Sequence, residues 1–126
     1  MNYLLSGEET DRLIFRKIQE SDFNEWLKFF VDPSTSIHWV EERKSPQDAC
    51  AAWYQKQFWR YENQMGGMNA LIEKSSGRLI GHCGLLVQTV DGQPELEIGY
   101  SLLSEFWGKG YASEAATKCR DYAFHN

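Results

Sequence analysis

Gly108-Lys109-Gly110 lies between a stretch rich in β-formers, Glu95 to Leu103, and an alanine-rich segment that opens at Tyr111. The two glycines let the backbone turn tightly with its amides facing outward. Beyond the loop, Ala112, Ala115, Ala116, Cys119, Tyr122 and Ala123 recur at the spacing of one helical face, and most are small enough for the helix to lie close on a sheet. A strand running through a glycine loop into a helix start is anion-binding geometry. The first-turn N–H groups have no intrahelical partner, and the macrodipole adds roughly half a positive charge there, so a phosphate or diphosphate fits. The pattern is neither G-x-x-x-x-G-K-[ST] nor G-x-G-x-x-G. A plain tight turn ahead of a core helix is the competing reading.

Other chemistry-bearing residues form weaker groupings. Glu97 alternates with Leu96 and Ile98, so its carboxylate points away from the face they share. By spacing alone it reads as a solvated strand residue. His82 and Cys83 are adjacent on a strand, face opposite sides and cannot readily share a metal. His38 and His125 are isolated, and nothing has zinc spacing, so no metal is expected. Cys50 and Cys119 fall on helix faces and read as small core residues.

The elements that must position these groups follow from periodicity. Arg12 to Ile18 reads as a strand, with Leu13 and Phe15 on one face. Ser21 is a plausible cap for a helix carrying the stripe Phe23, Trp26, Leu27 and Phe30, which Asp32-Pro33 stops. Ser34 to Lys44 reads as a loop containing His38 and Trp39. Ser45-Pro46 opens a second helix. That helix holds Trp53, Tyr54, Phe58, Trp59 and Tyr61, pointing in too many directions for one core face. Either its own fold covers two sides, or one aromatic side lines a pocket. Gln64 to Gly67 breaks it. Strands over Met68–Glu73 and Arg78–Val90 follow, and Asp91-Gly92 signals a hairpin into the Glu95 strand, with Gly92-Gln93-Pro94 as turn residues. The order β-α-α-β-β-β-α predicts an α+β fold, a mostly antiparallel sheet flanked by helices.

The totals agree with one ordered domain over residues 1–126, since 14% of the residues are aromatic and five are tryptophan. A formal charge of −5 argues against a nucleic-acid binder. No apolar run is long enough to span a membrane, and the N-terminus lacks signal-peptide character. Three cysteines without paired spacing point to free thiols and a cytoplasmic location.

Glu97-Ile98-Gly99-Tyr100, then Phe106-Trp107-Gly108-Lys109-Gly110-Tyr111-Ala112, then Glu114-Ala115, resembles the acetyl-CoA motif of the GNAT N-acetyltransferases. The likeness is closest to the Rim-type branch, which acetylates protein N-termini and some small amines. Gly110 and Ala112 match the last two fixed positions of the family loop Q/R-x-x-G-x-G/A. Trp107 stands where Gln or Arg is usual, a variant familiar in that branch. Glu9-Thr10-Asp11-Arg12-Leu13, with Arg16 and Ser21-Asp22, resembles the branch's opening strand and first helix start, so the likeness runs through nearly the whole chain.

The resemblance implies transfer of an acetyl group from acetyl-CoA to a primary amine, by direct attack in a ternary complex, with Glu97 as general base. It implies that backbone groups of Ser101, Leu102 and Leu103, freed by a β-bulge, hydrogen-bond the pantetheine arm. Trp107, Gly108, Lys109, Gly110, Tyr111, Ala112 and Ser113 would form the diphosphate cradle. With a net negative chain, such a site must work by local geometry rather than long-range steering. The family pattern continues with a strand, a helix carrying the candidate general acid and a final hairpin, none of which follows Asn126. The Glu95 strand is therefore expected to carry an open edge, completed by pairing in a homodimer. The alternatives are a non-catalytic acyl-CoA-binding or dimerisation module, and a structural α+β domain without a ligand.

Overall fold

The computed structural model describes residues 3–36 and 45–125. In chain order it contains β1 (Leu13–Lys17), a 3-10 turn (Glu20–Asp22), α1 (Phe23–Val31), α2 (Pro33–Ser36) and α3 (Pro46–Glu62). Then follow β2 (Gly66–Glu73), β3 (Leu79–Val90), β4 (Gln93–Leu102), a second 3-10 turn (Ser104–Phe106) and α4 (Tyr111–His125). The strands form one sheet in the order β1-β2-β3-β4, each pair antiparallel. This is the anticipated α+β meander with flanking helices, and β4 is an edge strand.

Alternation along β3 separates the two faces of the sheet. His82 faces α1 and α3, its ring 4.3 Å from that of Trp26 and 4.6 Å from that of Trp53. Cys83 faces α4, with its Sγ 3.6 Å from Cys119 Sγ. The neighbours do point to opposite sides, and Cys50 and Cys119 are fully buried. Leu13, Phe15, Trp26, Leu71 and Ile80 are also completely inaccessible. Each such burial contributes about 1.5–3 kcal/mol.

Local chemistry explains most element ends. Ser45 accepts the Asp48 amide at 3.1 Å and Pro46 opens α3, a cap worth about 1 kcal/mol. Ser21 does not cap α1. The residue ahead of that helix is Asp22, whose carboxylate is held by Arg16 at 2.7 and 2.9 Å and by the Gln19 amide at 2.8 Å. The segment after Asp32 is helical at Pro33–Ser36 rather than loop, because Asp32 Oδ1 accepts the Ser34 amide at 2.8 Å. His38 and Trp39 lie outside the described residues.

Asp91 and Gly92 have φ of 51° and 77°, so these two residues alone make the hairpin turn and Gln93-Pro94 begin β4. A proline is tolerated there because β4 is an edge. The sheet's register shift falls between Leu71 and Ile72 on β2, whereas β3 and β4 pair without interruption from Gly81↔Leu102 to Val90↔Gln93. The bulge expected near Ser101 is absent, because an unbroken ladder with β3 leaves no unpaired residue there.

Candidate functional site

The anion-type loop is built as its glycines suggest. Gly108 and Gly110 have φ of 75° and 84°, the left-handed region that L side chains avoid, and α4 begins at the next residue. A Cβ at Gly110 would stand 3.3 Å from Arg12 Nη2, so strain and a charged neighbour both oppose a larger residue. The Glu114 amide donates to Gly110 O at 3.0 Å, leaving the amides ahead of it as the free first turn of α4.

Where this helix end meets the open edge of β4, a cavity of about 600 Å³ opens. Of the ten residues singled out for ligand binding, eight line it: Ser101 and Leu102 from β4, and Trp107, Gly108, Gly110, Tyr111, Ala112 and Ser113 from the loop and α4. Leu103 and Lys109 do not. Leu103 is buried and donates its amide to Ile80 O at 2.9 Å, while Lys109 is exposed and its carbonyl accepts from Arg12. Phe29, Tyr100 and Phe106 complete the lining. Phe29 belongs to α1, outside the stripe read from sequence, and its ring stacks on Trp26 at 4.6 Å. None of the α3 aromatics lines the cavity: Trp53 and Tyr54 pack against Trp26, His82 and Phe23, and Trp59 is exposed.

Pairing decides which backbone groups of β4 face the cavity. Adjacent residues on an antiparallel strand alternate between bonding their neighbour and turning outward. Since Leu103 bonds Ile80, alternation directs the backbone of Leu102 and Tyr100 to the open edge and that of Ser101 and Leu103 to β3. The Trp107 indole confirms the outward aim by donating to Leu102 O at 3.0 Å. The ladder therefore turns the backbone groups of Ser101 and Leu103 toward β3 and away from the cavity. Alternation counted back from Leu103 would have found Tyr100 once the pairing partner was known.

Glu97 is exposed on β4, opposite Leu86 and outside the cavity lining. It shares the α1/α3 face with Ser101, which stands across from His82, and the two lie four positions apart along the strand, about 13 Å. Ile98 lies on the other face opposite the buried Leu85, so the expected orientation of Glu97 holds.

Side-chain ties bracket the loop. The Ser104 hydroxyl donates to Asp32, lowering that carboxyl's pKa. Arg78 bonds Glu105 at 2.8 Å and reaches Glu25 at 3.7 Å, fastening the second 3-10 turn to α1. Tyr111 donates its hydroxyl to Glu73 of β2, and this bond raises the phenol's pKa.

Fold and cavity together define an α+β protein that presents a helix N-terminus beside an open strand edge. A family model described as the Acetyltransferase (GNAT) domain matches residues 12–126, and the chain belongs to this family. It is 30% identical over 122 residues to YkkB of Bacillus subtilis (strain 168), covering 92% of this chain and 67% of that one. It is 32% identical over 119 residues to the N-acetyltransferase p20 of Bacillus licheniformis, covering 91% and 64%. Among solved structures it is similar to RimL, a ribosomal L7/L12 alpha-N-protein acetyltransferase in complex with coenzyme A. That likeness has a TM-score of 0.67 at 16% identity, covers 90% of this chain and 66% of that one, and concerns the fold. The chain spans about two thirds of the length of these relatives. Among the described residues no His, Cys, Asp or Glu group could hold a metal ion, and no helix is long and apolar enough to cross a membrane.

Proposed function

We propose that the chain is an acetyl-CoA-dependent N-acetyltransferase of the Rim type, acting on a primary amine of a protein N-terminus or a small molecule. The observation that carries this reading is the cavity at the junction of β4 and α4, where free first-turn amides meet outward backbone groups of an edge strand. A long ligand with a polyanionic end and an amide-bearing arm suits that junction. The left-handed glycines provide the close backbone approach a diphosphate needs.

Bound there, acetyl-CoA supplies an acetyl group on a thioester. Amides from Gly108 to Ser113 hold its phosphates, with Lys109 as an exposed counter-charge beside Phe106. Backbone groups of Tyr100 and Leu102 bond the arm in place of Ser101 and Leu103, and the Ser101 side chain lines the cavity. Glu97 takes the amine's proton, through water, as the nitrogen attacks the carbonyl directly; the carbon–sulfur bond then breaks, and the departing coenzyme A thiolate takes its proton from water. No covalent enzyme intermediate is formed. The stretch of the β4 edge ahead of Tyr100 pairs in a homodimer, leaving Tyr100 and Leu102 to the arm, and the protein works in the cytoplasm.

The test is a calorimetric titration with acetyl-CoA, using Gly110→Asp as control. Micromolar binding by the wild type, lost in a variant that places a carboxylate at the helix end, supports the site. Release of free thiol on adding an amine then separates an enzyme from a non-catalytic acyl-CoA-binding module. Absence of binding by the wild type overturns the reading.

A further inference from the structure

Arg12 stands about a hundred residues before the glycine loop, yet it is the side chain that most directly fixes it. Its Nη1 donates to Lys109 O at 2.9 Å, and its guanidinium carbon lies 4.1 Å from the centre of the Tyr111 ring. Its Nε donates to Glu114 Oε1 at 2.7 Å and its backbone amide to Glu114 Oε2 at 3.0 Å. Thr10 adds a hydroxyl bond to the same carboxylate. One residue just ahead of β1 therefore grips the loop, the first residue of α4 and the acid in its first turn.

Glu114 gives this grip a purpose. A carboxylate in a first turn suits the helix dipole, but beside a diphosphate it repels. Burial works against its charge, yet the Thr10 hydroxyl and Arg12 hold its pKa below the usual range, so it stays ionised. Glu114 does not line the cavity; it is drawn toward Thr10 and Arg12.

We propose that Arg12 is a positioning residue for the anion-binding loop, holding Lys109 and Tyr111 in place while it neutralises Glu114 and keeps it off the helix end. This rests on the acetyl-CoA reading for its ligand, but not for its effect on the loop. The grip combines a planar fork with a stacked ring, and lysine reproduces neither.

The experiment compares wild type, Arg12→Gln, Arg12→Lys and the double variant Arg12→Gln/Glu114→Gln in two measurements. One is amide hydrogen exchange over residues 107–113 without ligand; the other is acetyl-CoA titration at low and high salt. Arg12→Gln is expected to speed exchange in that segment and weaken binding about 10- to 100-fold, the loss of charge-assisted bonds. High salt narrows the gap by screening Glu114, and the double variant recovers part of the affinity. Arg12→Lys is expected to keep more affinity than Arg12→Gln while exchanging as fast. Exchange and affinity both equal to wild type in Arg12→Gln overturn the proposal and leave the acetyl-CoA reading standing. A double variant no better than Arg12→Gln overturns the neutralising role. If the wild type binds no acetyl-CoA, the ligand reading falls, and exchange alone decides: faster supports the grip, unchanged overturns it. If Arg12→Gln exchanges faster throughout the sheet, Arg12→Lys is judged by the same criteria.

Discussion

The Trp107 indole donates its N–H to the carbonyl oxygen of Leu102 at 3.0 Å, so the loop closes back on the strand edge that leads into it. The ring remains 47% exposed, which marks this as a surface bond over a cavity rather than a core contact. The bond satisfies an outward carbonyl of an edge strand, and it does so where an amide of a bound ligand would donate.

For that reason Trp107→Phe, which keeps a ring but loses the N–H, is expected to lower stability by about 0.5–1.5 kcal/mol. It should leave acetyl-CoA affinity unchanged or improved, since the ligand no longer displaces the indole. Thermal melting and calorimetry check both parts. A tenfold loss of affinity, about 1.4 kcal/mol, would make the indole part of the bound site instead.

Glu97→Gln is expected to lower kcat about 10²- to 10⁴-fold with no change in acetyl-CoA affinity, because the carboxylate lies beyond the cavity on the same sheet face. Thiol release with a competent amine measures it. Wild-type turnover in this variant would return Glu97 to the role of a solvated strand residue.

His82 links acidity to unfolding. Burial pushes its pKa from 6.5 to about 3, Asp22 raising it and Arg16 lowering it by smaller amounts, and neither ring nitrogen has a hydrogen-bond partner. Between pH 6.5 and about 3 the unfolded chain gains a proton that the folded chain refuses. Stability should therefore fall by up to about 1.4 kcal/mol per pH unit as pH drops through that window. His82→Phe, filling the space between Trp26 and Trp53, is expected to flatten the slope. Urea melts at several pH values test this.

Asp22 acts in a lower window. Burial raises its pKa, but the paired bonds from Arg16 and the Gln19 amide outweigh this and bring it below the ordinary range. Its contribution is thus present above about pH 4 and lost as pH falls through the folded value. Asp22→Asn should lower stability at neutral pH by about 2–3 kcal/mol, less than for a fully buried pair because Arg16 is partly solvated. It should also remove this lower acid limb, read from the same urea series.

Whatever depended on neighbours in the chain was legible before any coordinates. The Ser45 cap, the Asp91-Gly92 hairpin, the opposed His82 and Cys83, and the glycine loop before α4 each rest on interactions a few residues long, so local chemistry specifies them. The order of elements followed, and with it the open edge of β4. Even here a competing contact could win, as when Arg16 and the Gln19 amide took the carboxylate of Asp22, the residue ahead of α1, and left that helix without a side-chain cap. Tertiary pairing decided the rest. Which β4 carbonyls face outward depends on the phase of the ladder with β3, and a one-residue change would exchange Tyr100 and Leu102 for Ser101 and Leu103. Phe29 reaches the cavity only because α1 packs on the sheet face that carries Ser101 and His82, and Arg12 reaches Lys109 only because the bend before β1 lies beside the start of α4. Sequence spacing carries no term for contacts a hundred residues apart, and those contacts set the geometry of the site.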